Sequence, residues 1–393
     1  MNNEAEIQLI EIKNRKYFIP VLFQDIISPD SPFKFYNSEE IANLNKILKD
    51  IKSKKFIIVE NVKIDSIDKL FKDIIKRIDE IISYDDIQRI NSKEFSKNRK
   101  KEYDKIKNEI FNRVLIIFKF DQVISFEEKI TFPYLTSFCG EYFQNVNPDS
   151  EYLIPYKFFT DLTESLKTEI TVNCIKMNIG SGVNVLLPKS QDTTELFKTA
   201  LDGFKDKSMK KIIDMGCGSG ILTLMADEIF NNSEIFFSDI LPEAIASTLW
   251  NIEKNKNTKF NKKGDRLFCE TENNFILCCG NGDLFEKIDD KFDIIIFNSP
   301  WIDAISHNRS ELALNDKNQK TLERFLMQAK HRLNNNGNIL LAFSDNGGDT
   351  AVDRLNELIT ENHFHTDQEF FCRIQSHQSG RKWMKIFVKI LTG

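Results

Sequence analysis

The sequence contains no uninterrupted apolar run near the roughly 18 residues that a membrane-spanning helix requires. It also has no internal repeat and no low-complexity tract. The first residues, MNNEAEIQLIEIKN, are polar and acidic. From these features we expect a cytoplasmic protein with no membrane segment.

An excess of positive charge is also missing. Lys and Arg number 54 against 59 Asp and Glu, which gives a net charge of −5. The whole chain therefore has no attraction for phosphate backbones, although a local basic face remains open. The densest basic stretch, KEFSKNRKKEYDKIK (residues 93–107), is interrupted by acidic residues. A solvated helix face is the simpler interpretation, and a contact with nucleic acid or an acidic partner is the alternative.

The cysteines form no CxxC pair and are irregularly spaced, at positions 139, 174, 217, 269, 278, 279 and 372. This spacing favours free thiols in a reducing compartment over disulfides or zinc. His363 and His365 lie two residues apart, but no third ligand is spaced to complete a site with them. We expect no metal centre.

A length of 393 residues exceeds one small domain, so we expect two. Residues 1–165 mix helical and strand-like patches and carry no chemical signature. They predict an α/β or mainly helical domain for substrate recognition or an accessory role. In residues 166–393, apolar strands alternate with helices, which predicts a mostly parallel, helix-covered sheet. We also expect a turn at NNNG (residues 334–337) and an antiparallel C-terminal hairpin around QSGR (residues 378–381).

The most distinctive stretch is KKIIDMGCGSGILTLMADE, residues 210–228. An apolar run ends at Asp214, a segment with helical spacing begins at Ile221, and between them small residues alternate: Gly216, Cys217, Gly218 and Gly220. Glycines allow positive φ angles and close approach of a bulky ligand, while the helix start offers unpaired N–H groups. A nicotinamide Rossmann site is the competing interpretation, but G-x-G-x-G differs from the G-x-G-x-x-G spacing.

Polar side chains also follow the next predicted strands: Asp239, Asp283 and Asn298. Ligands of open α/β sheets bind outside the carboxyl ends of the strands, so these residues are expected at one edge. An acid after the second strand can accept both hydroxyls of a ribose, and an acid after the third can accept an adenine amine. Each acid alone would more often cap a helix or a turn. Together with the glycines they predict a nucleoside site.

On these residues, the chain from about Ile170 to Leu391 resembles the class I S-adenosylmethionine-dependent methyltransferases. The resemblance implies a Rossmann-like sheet of seven strands, with S-adenosylmethionine as the cofactor. It implies that DMGCGSG (residues 214–220) is the first cofactor motif. It further implies that Asp239 with Ile240 binds the ribose, and that Asp283 with Leu284 frames the adenine.

The turn Asn298-Ser299-Pro300-Trp301 is similar to the N-P-P-Y/F/W signature of enzymes that methylate planar nitrogens. The stretch DLFEKIDDKFDIIIFNSPWI (residues 283–302) resembles the release-factor glutamine methyltransferases and their small-domain relatives. So does LLPKSQDTTELF (residues 186–197), which looks like their P-R-P-E-T-E segment. The resemblance places Asn298, Ser299, Pro300 and Trp301 in the catalytic site, with Asn298 also beside the cofactor. Ser299 departs from the family, which usually has proline there.

The chemistry of a planar nitrogen accounts for these residue types. Its lone pair is delocalised, so the nitrogen must be held in line with the methyl group and lose a proton. Asn298 can accept an N–H through its side-chain oxygen, as can the carbonyl of Ser299, and Trp301 can stack on the planar group. In the alternative interpretation, these residues form a turn at the end of the strand, and Trp301 only packs over the hydrophobic core. His307 and Arg309 can line the pocket or lie on a surface loop.

We therefore expect N-methylation of an amide, amino or guanidino nitrogen on a protein side chain or small molecule. One alternative is methylation of an exocyclic amine on an RNA or DNA base, with nucleic acid as the partner. Another is a non-catalytic protein that binds S-adenosylmethionine. The sequence does not indicate the oligomeric state.

Overall fold

In a computed structural model, the chain forms two compact units, Met1–Glu164 and Ser165–Gly393. The structure describes residues 8–82, 86, 99–142, 147–188, 190–264, 266–375 and 383–393. The expected hairpin turn at residues 378–381 and the first part of the basic stretch, residues 93–98, lie outside them. Within the described ranges, no helix has the length and apolar character needed to cross a bilayer.

The first unit is built on a mixed sheet of eight strands in the described residues. The strands are β1 (Gln8–Ile12), β2 (Arg15–Ile19), β3 (Phe33–Tyr36), β4 (Phe56–Val59), β5 (Val114–Lys119), β6 (Gln122–Val123), β7 (Ile130–Thr131) and β8 (Glu151–Pro155). The α-helices are α1 (Leu44–Lys52), α2 (Ile64–Lys76), α3 (Ile78–Ile81), α4 (Arg99–Phe111), α5 (Leu135–Phe138) and α6 (Tyr156–Lys167), which continues into the second unit. Short 3₁₀ helices lie at Val21–Phe23 and Glu40–Ala42.

The strand order of the first unit is β1-β2-β8-β5-β4-β3, with β3, β4 and β5 parallel and β8 antiparallel to β5. The four residues of β4 are all buried, as are the first five of β5, because helices cover this part of the sheet. Aromatic side chains fill much of this core, and the rings of Phe118 and Tyr152 stack with centroids 5.0 Å apart. The unit is therefore α/β, and the mainly helical alternative is wrong.

The second unit contains a two-stranded hairpin, β9 (Ile170–Val172) and β10 (Met177–Ile179), and a large mixed sheet. The sheet strands are β11 (Lys211–Met215), β12 (Glu234–Asp239), β13 (Asn261–Lys263), β14 (Arg266–Glu270), β15 (Phe275–Asn281), β16 (Phe292–Asn298), β17 (Leu333–Ser344), β18 (His365–Gln375) and β19 (Trp383–Thr392). The α-helices are α7 (Asp192–Asp202), α8 (Ile221–Ile229), α9 (Pro242–Lys256), α10 (Lys320–Arg332) and α11 (Asp349–Glu361). Short 3₁₀ helices lie at Arg309–Ala313, Lys317–Gln319 and Asp345–Gly347.

The large sheet has the order β13-β14-β15-β12-β11-β16-β17-β19-β18. Its five central strands, from β15 to β17, are mutually parallel, and β18 and β19 form an antiparallel pair at one end. This is the expected α/β sheet with an antiparallel C-terminal pair. The prediction of seven strands is too low by the two strands of the hairpin β13–β14. The residues of β13, Asn-Lys-Lys, are all exposed and give no apolar signal.

The expected turn at residues 334–337 is also absent from the described structure. β17 instead begins at Leu333 and runs through these residues, with a register shift opposite Phe292 and Ile294 of β16. Gly337 lies where an added Cβ would stand 2.9 Å from the Phe292 carbonyl oxygen. Residues 334–337 therefore lie within a strand, where two strands of the sheet pack closely. Glycine within a strand can indicate such a close approach as well as a turn.

One core cluster of the second unit lies between the sheet and helices α10 and α11. Phe297, Phe325 and Leu355 belong to one buried cluster that spans these elements. The ring centroids of Phe297 and Phe325 are 4.2 Å apart. Because β16 is almost wholly apolar and covered, its end is a rigid point from which the following turn emerges.

Candidate functional site

The parallel strands bring the predicted polar residues to one edge of the sheet. In the register of β11, Asp214 lies opposite Phe237 of β12 and Ile296 of β16, so the residues that follow these strands emerge together. Asp239 ends β12, Asn298 ends β16, and Asp283 follows β15 by two residues. Sheet topology therefore gathers four segments that are far apart in sequence.

The Gly-rich turn (residues 216–220) is shaped by backbone hydrogen bonds. All three glycines have positive φ angles, +72° at Gly216, +55° at Gly218 and +81° at Gly220. The N–H groups of Gly216 and Cys217 donate to the carbonyl of Ser238, over 2.8 and 3.0 Å. The turn is thereby anchored to the end of β12, and a Cβ at Gly218 would meet no atom within 4 Å.

Gly220 instead lies where helix α9 approaches the turn most closely. A Cβ at this position would stand 2.9 Å from Cγ2 and 3.1 Å from Cα of Thr248. The Thr248 hydroxyl is 3.2 Å both from the Gly218 carbonyl oxygen and from Sγ of Cys217. Only glycine satisfies both the backbone angle and this contact. Cys217 is buried as a packed small residue, and burial raises the pKa of its thiol.

Asp214 lies below the turn, almost fully buried. Its carboxylate accepts a hydrogen bond of 2.7 Å from the Thr223 hydroxyl, in the first turn of α8. Burial raises the pKa of Asp214 to about 7, and the nearby Asp239 charge acts in the same direction. The structure therefore places Asp214 as a support that fixes the start of α8 under the turn.

Asp239 is half-buried at the edge and holds two segments. Its Oδ2 accepts from the Gly218 N–H over 3.0 Å, and its Oδ1 accepts from the Leu241 N–H over 2.9 Å. Burial raises the pKa of Asp239 to about 6, although these N–H donors lower it. The neighbouring Ile240 is 49% exposed, which leaves an apolar surface beside the carboxylate.

Asp283 is half-buried and forms an ion pair with Arg324 of α10. Leu284 is buried and has a φ of +58°, and the next N–H, of Phe285, donates to Gln328 of the same helix. Helix α10 thus holds residues 283–285 through one ion pair and one hydrogen bond. The pairing of Asp283 with Arg324 links residues 41 positions apart, which the sequence pattern did not predict.

Asn298 is exposed at the end of β16. Within the part of the chain that the structure describes, its side chain has no hydrogen-bond partner. The amide oxygen and nitrogen of Asn298 therefore face solvent with their bonding capacity unused. Such an amide can both accept and donate hydrogen bonds to a planar ligand.

Ser299 is buried, and its hydroxyl donates a 2.7 Å hydrogen bond to the carbonyl of Ala342 in β17. Proline has a fixed ring but no hydroxyl, so the departure from the family pattern replaces ring rigidity with a tether. Pro300 is also buried and completes the turn.

Removing this tether should destabilise the second unit. Because Ser299→Ala leaves a buried carbonyl without the hydroxyl, we expect a loss of about 1 to 2 kcal/mol in the free energy of unfolding. Denaturant unfolding measures this. Ser310→Ala is the control, because its hydroxyl bonds to Asn308 on the exposed surface, and its change should stay within about 0.5 kcal/mol. Equal effects of the two variants would contradict the tether.

Trp301 is half-buried and packs against the core cluster that contains Phe297 and Phe325. The backbone N–H of Trp301 donates to the carbonyl of Leu314 over 3.1 Å. Trp301 is followed by residues 302–316, which we call the acceptor loop. The loop closes on itself, because the Ile302 N–H donates to Leu314 and the Asp316 N–H donates to Ile302, each over 2.8 Å.

Several residues that sequence reasoning missed lie on α9. Glu243, Ser247 and Asn251 are fully buried and polar, and Glu243 forms a paired contact with Arg309 of the acceptor loop. In the sequence, Glu243 resembles an ordinary acid in the first turn of a helix. The only available signal was the run of polar residues at four-residue intervals on one helix face.

Within the described ranges, no group of three or more His, Cys, Asp or Glu side chains could hold a metal ion.

Comparison with known proteins identifies the second unit. Residues 189–371 match the family model described as the methyltransferase small domain. The second unit is a class I S-adenosylmethionine-dependent methyltransferase domain. This agrees with the resemblance carried by the Gly-rich turn and the Asn298 turn.

Individual relatives are similar over parts of the chain. Ribosomal RNA small subunit methyltransferase C of Haemophilus ducreyi is 29% identical over 158 residues, covering 39% of this chain and 40% of that protein. Release factor glutamine methyltransferase of Lactococcus lactis is 25% identical over 259 residues, covering 62% of this chain and 82% of that protein. The solved ribosomal protein L11 methylase of Lactobacillus delbrueckii is 18% identical with a TM-score of 0.34, covering 50% and 77%. The chain thus spans less than half of the Haemophilus protein.

The methyl donor of the domain is S-adenosylmethionine. The residues at the sheet edge fit it, because the surface over Gly218 is open and the Asp239 carboxylate is half-buried beside exposed Ile240. A half-buried carboxylate suits ribose hydroxyls, and an exposed aliphatic side chain suits the face of a base.

Cofactor affinity in the methyltransferase domain should therefore depend on pH. Hydroxyl groups donate to the ionised carboxylate, and with a pKa of about 6 only about one tenth of Asp239 is ionised at pH 5. We expect the affinity for S-adenosylhomocysteine, measured by calorimetry, to fall by about tenfold from pH 7.5 to pH 5. Asp239→Asn should bind weakly and show a flat profile, and a steep profile in this variant would exclude Asp239 as the titrating group.

Proposed function

We propose that the protein is an N-methyltransferase that uses S-adenosylmethionine to methylate an amide, amino or guanidino nitrogen on a protein side chain or small molecule. One observation carries this proposal. The exposed Asn298 amide, with no partner in the described residues, lies at the same sheet edge as the Gly-rich turn and Asp239. A planar amide presented beside the methyl donor site is suited to bind a planar nitrogen group.

In the proposed reaction, bound S-adenosylmethionine supplies an electrophilic methyl group, whose bond to sulfur breaks as the new bond to nitrogen forms. The Asn298 amide oxygen accepts one N–H of the substrate, which orients the nitrogen and increases its electron density. The carbonyl of Ser299 offers a second acceptor at the same turn. The exposed part of Trp301 covers the planar group, and the nitrogen releases its proton to solvent.

Positioning supplies most of the rate acceleration in this scheme. Holding two reactants in line is worth on the order of 7 to 11 kcal/mol, so a strong general base is not required. The rigid end of β16 and the Ser299 tether keep the turn in place. The adjacent strand β17 provides the anchoring carbonyl, at Ala342.

The acceptor loop favours a protein acceptor over a nucleic acid. Three of its side chains are large, apolar and exposed: Ile305 at 63%, Leu312 at 42% and Leu314 at 37%. Arg309 is the only Lys or Arg in the loop, and its guanidinium is paired with buried Glu243. An apolar surface with its one arginine already paired is suited to a polypeptide and is poorly suited to phosphates.

Methylation of an exocyclic base amine is the second candidate. The likeness to a ribosomal RNA methyltransferase supports it, as does the basic stretch, of which residues 99–107 lie in α4. In either case we assign the first unit a role in substrate recognition or an accessory role, in addition to the acceptor loop of the second unit.

Transfer of a labelled methyl group tests the proposal. The full-length protein would be incubated with methyl-labelled S-adenosylmethionine and separate protein, RNA and small-molecule fractions of a lysate. We expect label in the protein or small-molecule fraction. Label confined to RNA, removable by nuclease, would establish the second candidate instead. Binding of the methyl donor without transfer to any fraction would contradict both.

A further inference from the structure

Helix α9 carries a row of fully buried polar side chains at Glu243, Ser247 and Asn251, with Thr248 beside them. The first three are spaced by four residues and therefore lie on one face of the helix. Burial of polar groups is unfavourable unless they are hydrogen-bonded. Each of these side chains does have a partner, and the partners belong to the Gly-rich turn, the segment after β10 and the acceptor loop.

The lower part of the row fixes the cofactor side. Asn251 donates to the Ser219 carbonyl over 2.9 Å and to the Gly180 carbonyl over 2.7 Å. The Thr248 hydroxyl lies 3.2 Å from the Gly218 carbonyl oxygen, and the Ser247 hydroxyl accepts from the Gly182 N–H over 3.0 Å. Helix α9 thus holds the Gly-rich turn directly.

The upper end of the row reaches the acceptor side. Arg309 Nε lies 2.6 Å from Glu243 Oε1, and Nη2 lies 2.8 Å from Oε2. The Glu243 side chain is fully buried, while that of Arg309 is 33% exposed. Two parallel hydrogen bonds fix the orientation of the guanidinium as well as its distance. The pair joins residues 66 positions apart, one on the helix that holds the Gly-rich turn and one in the acceptor loop.

The Glu243–Arg309 pair attaches the middle of the acceptor loop to α9. The hydrogen bonds within the loop do not make this attachment. The bonds of Ile302 and Asp316 close the base of the loop, and Arg309 begins the 3₁₀ helix farther along it. Without Arg309, the Glu243 carboxylate would remain buried with its charge uncompensated, a strongly unfavourable state. Closure of the loop against α9 is therefore coupled to the placement of this one guanidinium.

We propose that Glu243 and Arg309 are positioning residues that hold the acceptor loop on α9, so that cofactor occupancy of the Gly-rich turn and order in the acceptor loop are coupled. This inference deepens the proposed function and relies on its assignment of the acceptor side. The polar row transmits the coupling, since one helix contacts both segments. We assign neither residue a direct contact with the substrate or the cofactor.

Hydrogen–deuterium exchange of the full-length protein, with and without S-adenosylhomocysteine, tests the coupling. In the native protein we expect the ligand to slow exchange of the Glu311, Leu314 and Asn315 amides, which donate hydrogen bonds within the part of the loop around Arg309, at least threefold. In Arg309→Met, these amides should exchange about tenfold faster and no longer respond to the ligand. The Gly-rich turn of this variant should still be protected by the ligand, with affinity within about threefold of the native value.

Two further variants separate positioning from simple destabilisation. Arg354→Met is the control, because Arg354 of α11 has 37% side-chain exposure and its ion pairs, with Glu357 and Glu361 of α11 and Glu323 of α10, do not involve the acceptor loop. It should leave the acceptor loop unchanged. The double variant Glu243→Gln/Arg309→Met removes the uncompensated charge, so its melting temperature should recover while its loop amides still exchange rapidly.

The proposal is overturned if the loop amides of Arg309→Met exchange at the native rate or still respond to the ligand. It is also overturned if S-adenosylhomocysteine does not bind the native protein. If the proposed function is wrong but this inference is right, the exchange experiment shows the coupling while the native protein transfers no methyl group. Methyl transfer by the native protein with an uncoupled loop would reject the positioning role alone.

Discussion

Asn298→Ala should lower kcat/KM for methyl transfer by about 10²- to 10³-fold, the range seen when one positioned hydrogen-bonding group is removed from an active site. The side chain is exposed at the end of β16, so its truncation leaves no cavity. Cofactor affinity should stay within about threefold, because the Gly-rich turn and Asp239 are unchanged. Steady-state kinetics with the labelled acceptor fraction and calorimetry with S-adenosylhomocysteine measure the two quantities.

Two other variants define what the amide does. Asn335→Ala is the matched control, since Asn335 is exposed at the amino end of β17, and its activity should equal that of the native protein. Asn298→Asp keeps an acceptor oxygen and should retain more activity than Asn298→Ala. Turnover of Asn298→Ala within a few-fold of the native rate would remove Asn298 from the proposed mechanism.

Gly220→Ala should abolish measurable cofactor binding and lower the free energy of unfolding by about 2 to 5 kcal/mol. The new Cβ would need a left-handed backbone conformation, which costs about 1 to 2 kcal/mol for a residue other than glycine. It would also stand 2.9 Å from Thr248, and overpacking of this kind typically costs about 1 to 3 kcal/mol. Since Thr248 belongs to α9, relief of the clash must shift the turn itself. Calorimetry and denaturant unfolding measure both effects.

Gly264→Ala separates the two contributions. Gly264 has a φ of +62° but no atom within 4 Å of the added Cβ, and it lies in the hairpin between β13 and β14. Its variant should lose only about 1 to 2 kcal/mol and bind the cofactor normally. If Gly220→Ala bound S-adenosylhomocysteine as tightly as Gly264→Ala, the close contact with Thr248 would not govern the shape of the turn.

The cofactor side of the site follows from local sequence signals. The apolar run before Asp214, the alternating glycines and the helical segment from Ile221 lie within one short stretch, so neighbouring residues determine the geometry. The same holds for the end of β16, where an apolar strand meets Asn298. Parallel alternation of strands and helices then predicts a shared edge without any knowledge of the strand order.

Contacts between distant segments could not be predicted in this way. Asp283 pairs with Arg324, and Glu243 pairs with Arg309, because helices α10 and α9 pack against particular loops. No periodicity in the chain encodes those partners. Ser299 is a similar case, since a departure from the family motif gains meaning only from the Ala342 carbonyl on the next strand.

The sheet edges and the first unit were also hard to predict. β13 has no apolar residue and is stabilised by pairing with β14, so pattern reasoning passed over it. In the first unit, β8 lies between β2 and β5, two strands that are distant in the chain. Such an insertion depends on long-range pairing, which alternation of local patterns does not reveal.

The chemical identity of the methylated atom tests the central claim most directly. Acceptor labelled by the full-length protein would be treated with mild alkali, hydrolysed in acid and analysed for labelled products. Our account predicts label that resists mild alkali and is recovered on nitrogen, as methylamine or an N-methylated amino acid or amine. Label released as methanol, which marks a carboxyl ester, or label recovered on sulfur or carbon would contradict the assignment of Asn298 and its turn to a planar nitrogen.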